Sequence, residues 1–596
     1  MGNCCPVLLL LPLLWLCLLL APVPSVIGAI INAVSVSQGD VTNAILSAID
    51  GDVVLIPAGT ATWPVNYSTS KAIILRGAGI GQTIIKDGLT SDNGGPFSYS
   101  TSSNKFYRLT GIEFQNGTRT NSFLKGCVII NGHSKAVRVD HCKWDGVRNR
   151  YFRIGGAVCG VYDNNISLSS TSEQHILISH DEWEAKTFGD GGWAVPLTLG
   201  TTNAFYFQES VFRSSMTSTP DMSDADSAAR WVFRNCIVTN MNIASHGTGS
   251  TGRNRGQRQW EFYGSLFVSD VYSTKNVIHM RGGTGCVFNN DTRQFDKFLT
   301  LHTYRLYSIF NSWGGSTGTN LWDINDGTTV FASGTAGAGS GNLTLVVPGA
   351  GWTVNQWLGY TVNANTTDLD AYPDGYFHSV ASANTSDTIT VKSGAGINGP
   401  TKPFVSGQLW EIRRVIGSLD GVGQSTSDLL TNQASVPPPM NLNQTQQAAY
   451  SWSNYFSGTL SQGAPNTGLA SADPSIWENT NFFNNTVMPG YTPLGAHPLV
   501  KTNAIAPTSA TVAALATVDF DMSGGSQAVL LFRLLINNSG ASINASTGLY
   551  TAGSTTGVVD TVQVWDTWGE PAQALVTVGE APGAHTIRRN RTLRIP

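Results

Sequence analysis

Charged residues are scarce in this chain. Asp, Glu, Lys and Arg together form 12% of its 596 residues, against about 25% in a typical soluble protein. The formal net charge is only −4, and like charges never form a long block. Nucleic-acid-binding proteins usually carry a concentrated basic surface, so we expect no nucleic-acid partner. Hydrophobic residues still make up 41%, which is enough for a packed core and excludes a largely disordered chain.

The cysteine pattern excludes two kinds of site. Three of the eight cysteines lie close to the N-terminus. The other five are odd in number and none has Cys-x-x-Cys spacing: Cys127, Cys142, Cys159, Cys236 and Cys286. Neither a disulfide framework nor a structural zinc site is therefore predicted. We expect these five residues to be small, buried apolar side chains.

The N-terminus predicts a signal peptide over residues 1–25. The apolar run Val7–Ala21 is too short for a comfortable transmembrane helix and is followed by Pro22. An alternative is lipidation of Gly2, but Pro6 stands where that signal prefers Ser or Thr. We expect a protein that is secreted or held at the cell surface, with no transmembrane anchor in the mature chain.

Glycine is abundant, at 64 residues, and a degenerate repeat runs through the first half of the chain. In each copy an apolar residue, one spacer and a small or polar turn residue precede another apolar stretch. The turn positions are Gly111, His141, Asn164, His180, Glu209, Asn235, Gly264, Asn290 and Asn311. Their intervals range from 16 (180 − 164) to 30 (141 − 111) residues, which is typical of a solenoid. His141 and His180 are accordingly expected to be turn residues.

The repeat predicts an all-β fold whose main body, residues 30–320, is a right-handed parallel β-helix. Its strands would stack about 4.8 Å apart along the axis. Asp40 is the expected N-cap of a helix whose apolar residues run from Val41 to Ile49, and Val53–Ile56 reads as the next strand. Such a helix would cover the open end of the solenoid core. Phenylalanines two residues before turn positions are expected to form one inward column: Phe207, Phe233, Phe262 and Phe288.

Several segments of this region resemble the pectin-lyase-like superfamily of parallel β-helix proteins. They are the capping helix, Val53–Gly59, Ile73–Gly77 and Val137–Cys142. The resemblance covers about residues 30–315 and implies the right-handed β-helix fold. That fold hosts lyases, hydrolases, adhesins and phage-type fibres, so function has to be argued from a site.

The rest of the chain departs from the repeat. We predict a small inserted antiparallel β domain at 321–420, a linker at 421–447, closing β-helix coils at 448–500 and a tail at 581–596. Residues 506–580 resemble a bacterial immunoglobulin-like β-sandwich module, because Ile543–Tyr550 precedes the alternating runs Asp560–Trp565 and Ala574–Val578. Such modules usually serve as spacers or surface-binding units.

Ionisable residues concentrate between positions 221 and 281. The segments Ser245–Gly249 and Arg281–Gly285 align, which places His246 within about one strand spacing of Arg281. We expect a functional centre of His246, Arg258, Arg281 and Asp226. The predicted substrate-binding residues around it are Asp224, Arg253, Arg255, Glu261 and His279. A merely solvated or self-paired charged edge is the alternative.

Arginine forks suit carboxylate groups, so we expect an acidic polysaccharide as substrate or a surface glycan as partner. β-Elimination needs a base and a cation, and it is slightly favoured. Hydrolysis needs two carboxyl groups, which Asp224 and Asp226 would supply about 6.6 Å apart on an extended strand. The order Asp, His-Gly, Arg is similar to polygalacturonase-type hydrolases, although their Asn-Thr-Asp, Asp-Asp and Lys are missing. A non-catalytic adhesin or fibre is the rival class. The sequence requires no cofactor, and Ca²⁺ could supply the cation that β-elimination needs.

Overall fold

The computed structural model describes most of the chain. The described residues are 28–90, 94–119, 125–171, 174–183, 195–247, 256–301, 332–357, 361–363, 379–391, 395–396, 399–400, 403–413, 447–460, 464–466, 469–471, 478–479, 481–524, 531–565 and 569–580. The predicted signal peptide, Arg253, Arg255, Asn311, the linker and the tail lie outside them, except for Gln447 at the end of the linker. Within the described part, no helix combines the length and apolar character needed to cross a bilayer.

Residues Ala29–Thr502 form one compact unit built around three long sheets. Sheet A has twelve strands, all paired in parallel: Ile30–Asn32, Val53–Ile56, Ile74–Gly77, Phe106–Thr110, Ala136–Asp140, Gly160–Asp163, Phe205–Gln208, Arg230–Arg234, Gln259–Tyr263, Thr284–Phe288, Ala449–Trp452 and Phe482–Asn484. The chain visits the sheets in turn, so each strand lies beside the corresponding strand of the next coil. These stacked parallel sheets are consistent with a β-helix-like solenoid.

Sheets B and C complete each coil. Sheet C has six parallel strands: Tyr67–Thr69, Phe97–Thr101, Val128–Gly132, Phe152–Ile154, Ile176–Ser179 and Ser223–Asp226. Sheet B contains Gly59–Trp63, Thr83–Asp87, Glu113–Asn116, Lys143–Asp145, Ile166–Ser169, Val211–Ser214, Ile237–Thr239, Ile243–Ala244, Leu266–Met280, Asp291–Leu301, Asn454–Ser457, Ala464–Asn466 and Leu469–Ser471. All its pairs are parallel except the one between Asn454–Ser457 and Ala464–Asn466.

The core between the stacked sheets is a column of large apolar side chains. Phe207, Phe233 and Phe262 lie in register on successive coils of sheet A and are fully buried. Phe288 does not continue this column, because it pairs with Tyr263, while Val287 pairs with Phe262. The predicted register was thus wrong by one residue at this coil. Phe288 instead packs on the outer face, with its ring 4.4 Å from that of Trp452.

The turn from sheet A to sheet B repeats one backbone conformation. Six predicted turn positions have a positive φ there: Gly111, His141, Asn164, Glu209, Asn235 and Gly264. Two predictions were wrong. His180 directly follows a strand of sheet C and is buried. At the eighth position the left-handed residue is Asn289 (φ 55°), not Asn290.

The residue after each left-handed position forms an internal ladder. The side chain of Asn290 accepts from the backbone of Ser265 at 3.0 Å, and that of Asn454 accepts from Asn290 at 3.1 Å. Each such bond joins two coils and satisfies a buried N–H group. Cys142 and Cys236 occupy the same row with their thiols inside. All five cysteines of the described body are free and buried, as predicted.

The N-terminal end of the core is covered by the helix Gln38–Ser47. Its N-cap is Ser37, whose hydroxyl accepts from the backbone of Asp40, so the prediction of Asp40 as N-cap was wrong. Val41 and Ile45 are fully buried, whereas Ile49 is 63% exposed because the helix ends before it. The helix therefore seals the core with part of the predicted apolar face, but its first residue lies three positions before, and its last residue two positions before, the corresponding ends of the predicted span 41–49.

Between the last two long coils lies an antiparallel sheet with its own apolar core. Its strands, in spatial order, are Ala332–Thr335, Leu409–Arg413, Thr361–Asn363, Ser379–Asn384, Thr388–Val391 and Thr344–Val346. A separate short pair joins Ala395–Gly396 to Gly399–Pro400.

Asn503–Pro596 belong to a second compact unit, also all-β. Its strands are Lys501–Ala506, Ser509–Ala513, Thr517–Asp519, Asp521–Gly524, Leu531–Ile536, Ser542–Ile543, Leu549–Thr551, Val558–Trp565, Gly569–Glu570 and Ala572–Gly579. They form sheets of three, four and three strands around a separate apolar core.

Candidate functional site

The segments that join successive strands contain the most residues at one edge of the stacked sheets, which we call the loop edge. It is the edge at which the chain leaves sheet C, or the strands that continue it, for sheet A. Most coils cross it in a few residues, as between Asp226 and Arg230. Three crossings are much longer: 180–204, 245–258 and 302–448. Long loops on a rigid scaffold are the usual carriers of binding and catalytic residues.

Three of the predicted central residues fall in one row along this edge. Asp226 is in register with Ser179. The backbone N–H of His246 donates to the carbonyl of Ala225 at 2.9 Å, which is the bond that a residue in parallel register with Asp226 makes. Ala244 pairs with His279, so two residues later His246 and Arg281 are level. We call Asp226, His246 and Arg281 the edge row.

A second row runs beside it on the same outer face. Asp224 lies two residues before Asp226, and His279 two residues before Arg281. Both side chains are partly exposed, whereas the intervening Ala225 and Met280 are buried. Alternation along a strand places every second side chain on one face. Asp224 and His279 are therefore neighbours of the edge row.

Asp226 has an unusual environment. Its carboxyl oxygen Oδ1 is buried without a hydrogen-bond partner. Burial, and next the nearby Asp224 carboxylate, raise the pKa of Asp226 to about 6, although the hydroxyl groups of Ser179 and Ser227 oppose the shift. A carboxyl group with such a pKa is half protonated in mildly acidic solution. Perturbed pKa values of this kind are enriched at functional sites.

The backbone after Asp226 is also unusual. Ser227 (φ 50°) and Ala228 (φ 63°) both adopt the left-handed region, which costs free energy in residues other than glycine. Hydrogen bonds hold this turn: the N–H of Ala228 donates to Gly256 at 2.8 Å, and that of Ala229 donates to Asp226 at 2.9 Å. The coil beneath thus holds Asp226 at the end of its strand.

Asp224 is oriented by an arginine from an earlier coil. The Arg150 guanidinium lies 3.5 Å from its carboxylate and is itself positioned by a 2.8 Å hydrogen bond to Gln174. The two carboxyl groups therefore differ in their surroundings, because Asp224 faces a cation while Asp226 faces hydroxyl groups. Sequence reasoning missed Arg150, Ser179 and Ser227. Only the parallel register, which sets Ser179 level with Asp226, would have indicated one of them.

The side chain of Arg258 has different surroundings from those of the edge row. It is fully buried, and its Nη2 donates to the side chain of Gln447 at 2.8 Å and to the carbonyl of Val195 at 3.5 Å. Burial, and then the neighbouring Arg230, hold the pKa of Arg258 well below its usual range. Its guanidinium contacts residues in two of the long crossings, Val195 and Gln447.

Glu261 has a structural environment. Its carboxylate accepts from the Tyr491 hydroxyl at 2.6 Å and from the backbone of Gly200 at 3.0 Å, and burial raises the pKa of Glu261. These partners belong to two segments, 195–203 and 491–497, which cover the outer face of sheet A. The segments touch there, since a Cβ atom on Gly200 would lie 2.1 Å from the carbonyl oxygen of Thr492. Glu261 therefore holds these two segments against sheet A and is buried beneath them.

His180 is likewise structural. Its Nδ1 accepts from the backbone of Arg230 at 3.0 Å, so its Nε2 donates to the carbonyl of Val158 at 3.0 Å. Burial lowers the pKa of His180 to about 3, which keeps the ring neutral. This histidine links three coils, and both of its ring nitrogens are occupied by hydrogen bonds to the backbone.

No group of three or more His, Cys, Asp or Glu side chains in the described part of the chain is placed to hold a metal ion. The edge row offers one carboxyl group, one imidazole and one guanidinium, a poor set for Ca²⁺, which prefers several oxygen ligands. No step at this edge is therefore assigned to a metal.

The chain has no significant match among protein-family models, curated proteins or solved structures. Its function has to be argued from the geometry of the loop edge.

Proposed function

We propose that this protein cleaves glycosidic bonds of an acidic polysaccharide at the loop edge. The observation that carries the proposal is Asp226, a carboxyl group with a pKa of about 6 in one row with His246 and Arg281. A proton donor, a second titratable group and a cation on successive coils suit a sugar chain that bears carboxylates.

Asp226 would serve as the general acid. Its raised pKa leaves it partly protonated near neutral pH, so it can deliver a proton to the leaving glycosidic oxygen. Asp224 would be the partner carboxylate. The two residues are two positions apart on the strand Ser223–Asp226, which separates their Cα atoms by about 6.6 Å. Inverting hydrolases hold their carboxyl groups about 6.5–9.5 Å apart so that a water molecule fits between them.

Arg281 would bind the substrate carboxylate. Its guanidinium can form two parallel hydrogen bonds to one carboxylate group, a geometry that a lysine cannot reproduce. Because Arg281 lies two coils from Asp226, about 9.6 Å along the axis, it would hold a sugar unit next to the bond that is cleaved.

β-Elimination is the second candidate, because His246 lies level with Arg281. In that reaction His246 would accept the proton next to the sugar carboxylate while Arg281 neutralises the carboxylate, and Asp226 would protonate the leaving oxygen. Both reactions use the same row. They differ in whether water or a histidine acts on the sugar.

The finer features of the architecture belong to the same proposal. We infer that the solenoid is a right-handed β-helix of the pectin-lyase-like kind, supported by the three stacked parallel sheets and the helical cap. We infer that residues 506–580 form an immunoglobulin-like module, supported by their separate β core. Export through the signal peptide 1–25 would bring the protein to extracellular polysaccharides.

The test is turnover on a panel of acidic and neutral polysaccharides with the full chain. New reducing ends without absorbance of unsaturated sugars indicate hydrolysis, and reducing ends with that absorbance indicate elimination. Asp226→Asn should lower the rate by about 10²–10⁴-fold. The matched control is Asp145→Asn, an exposed carboxylate that pairs with Lys143 on sheet B and should leave the rate unchanged. Saturable binding of a glycan with no turnover of any substrate would indicate the rival class, a non-catalytic adhesin or fibre, and would refute the proposal.

The pH profile gives an independent check. Since Asp226 must carry a proton to act as the acid, the rate should fall as pH rises through about 6. A rate that increases through this range would exclude Asp226 as the proton donor.

A further inference from the structure

A cavity of about 370 Å³ lies at the opposite end of the sheet A strands from the loop edge. On one side it is lined by the turn from sheet A to sheet B, including Glu209 and Asn235, and on the other by the segment 493–497. The strand Arg230–Arg234 runs from one edge to the other, a length of about 13 Å. The cavity is therefore separate from the edge row, and its volume lies in the lower part of the range of small-molecule sites.

The floor of the cavity is rigid. Arg234 donates to the side chain of Gln208 through Nε and Nη2, at 2.9 and 2.6 Å, and to the Tyr263 hydroxyl at 3.0 Å. Its Nη1 also donates to the carbonyls of Leu494 and Gly495. These bonds occupy the guanidinium with protein acceptors and tie the covering segment to the sheet. The cavity is thus a preformed space between fixed walls.

Its rim carries an unexpected residue. Glu209 is exposed and adopts φ 51°, a conformation that disfavours glutamate and suits glycine or asparagine. The neighbouring coils have Asn164, Asn235 and Gly264 at this position. Backbone strain of this kind tends to be kept where the side chain has a function.

Glu209 and Asn235 stand side by side on adjacent coils. The N–H of Glu209 donates to Arg234 at 3.3 Å, and the N–H of Asn235 donates to Tyr263 at 3.1 Å. These equivalent bonds keep the two backbones about 4.8 Å apart. A carboxylate, which accepts hydrogen bonds, and an amide, which both donates and accepts, are thereby presented at a fixed spacing above the cavity.

We propose that this cavity binds a neutral sugar ring. Neighbouring hydroxyl groups of the sugar would donate to Glu209 and exchange hydrogen bonds with Asn235, while Tyr263 and Pro493 provide apolar wall. An uncharged ligand fits because the rim carboxylate repels anions, and the Arg234 donors are already engaged. The site is a binding subsite only. It goes beyond the cleavage of acidic sugars at the loop edge and does not depend on it.

The experiment is calorimetric titration of the full chain with neutral gluco-, galacto- and manno-oligosaccharides, and with uronate oligosaccharides for comparison. The decisive variant is Glu209→Asn, which removes the carboxylate and places a residue that tolerates the left-handed turn. We expect saturable binding of at least one neutral oligosaccharide by the natural chain, weakened at least tenfold in the variant. Its melting temperature should be unchanged or higher, because the turn strain is relieved.

The matched control is His141→Asn, at the same turn position (φ 51°) but outside the cavity, which should bind as the natural chain does. Asn235→Gly is a second probe of the rim that keeps a residue suited to positive φ. The inference is overturned if no neutral oligosaccharide binds, if uronates bind more tightly, or if both rim variants bind normally. Loss of binding here with unchanged turnover of acidic polysaccharide would separate this site from the loop edge.

Discussion

The outer face of sheet A and the loop edge both carry clusters of charged side chains, but these side chains differ in burial and in their partners. On sheet A, Arg108 and Arg138 alternate with Asp140 and Asp163 on three successive coils, and all four are at most 5% exposed. Arg108 binds Asp140 through two bonds of 2.7 and 2.6 Å. Arg138 binds Asp163 in the same way, at 3.0 and 2.8 Å. At the loop edge, Asp224, Asp226, His246 and Arg281 are only partly covered.

Asp140 and Asp226 differ in the side chains that neighbour each carboxyl group. Burial raises the pKa of Asp140, but the Arg108 and Arg138 guanidinium groups outweigh burial and hold it well below its usual range. Asp226 has Ser179 in that place, so burial prevails and its pKa rises. Charges of the first kind hold the coils together, whereas a carboxyl group of the second kind costs stability and is available for proton transfer. Two predictions test this contrast, and a third tests the independence of the two compact units.

The largest effect is expected from Arg138→Ala on sheet A. The substitution leaves the carboxylates of Asp140 and Asp163 buried without this cation, which typically costs about 3–5 kcal/mol. The free energy of unfolding, measured by urea denaturation of the unit Ala29–Thr502 within the full chain, should fall by that amount. Its control is Arg213→Ala, which breaks an exposed pair with Asp270 (3.1 Å) and should cost no more than about 1 kcal/mol. Equal losses in the two variants would show that the buried network is not what stabilises this face.

The second largest effect is expected from Asp226→Asn, which should raise the free energy of unfolding at neutral pH. The folded pKa of Asp226, about 6, exceeds its unfolded value of about 3.9. Between these values the folded state binds the extra proton, so stability falls as pH rises from about 4 to about 6. Above that window the charged carboxylate costs on the order of 2–3 kcal/mol.

The asparagine variant should therefore be more stable than the natural chain at pH 7 and equal to it below pH 4. Urea midpoints at the two pH values measure this directly. A variant that loses stability at pH 7 would mean that Asp226 is a structural residue like Asp140, and the contrast between the two regions would disappear.

The smallest effect is expected from removing the C-terminal unit. Residues 503–580 have their own core, formed among others by Phe520, Tyr550 and Val562. Expressed alone, about 500–580 should show dispersed NMR signals and a cooperative melting transition. The remaining chain should melt within a few degrees of its transition in the full chain and keep its turnover. An unfolded fragment would show that the two compact units depend on each other.

Much of the coil architecture could be predicted from local chemistry. Gly111, Asn164 and Asn235 fit a left-handed turn because glycine and asparagine tolerate a positive φ. The repeat therefore located these turns without any knowledge of the neighbouring coils. The prediction failed where local signals were ambiguous. Positions 289 and 290 are both asparagine, and the ladder bond that the backbone of Ser265 donates to the side chain of Asn290 shows which of them lies inside and which forms the turn. Because the turn lies one residue earlier than predicted, Phe288 lies on the outer face and not in the core.

The candidate site divides in the same way. The aligned Gly-Thr-Gly segments set Ser245 level with Arg281 and so placed His246 close to it. The parallel register differs from that alignment by one residue, because Ala244 pairs with His279 and His246 is then level with Arg281. The roles of Arg258 and Glu261 were beyond sequence reasoning, because their partners Gln447 and Tyr491 are 189 and 230 residues away along the chain. His180 shows the same limit, since its imidazole joins coils whose contact no sequence pattern records.

By itself, then, the sequence determined the winding of this protein. Alternating apolar residues and turn residues act over a few positions, and each coil repeats the same local preference. Only the tertiary structure decided which charges are enclosed and which are exposed. That outcome depends on the residue one coil away and on the segments 195–203 and 491–497 that fold back over sheet A. Because charged residues are scarce, the sequence could locate the charged cluster. It could not say which carboxyl group is protonated, because protonation depends on burial and on the neighbouring groups in space.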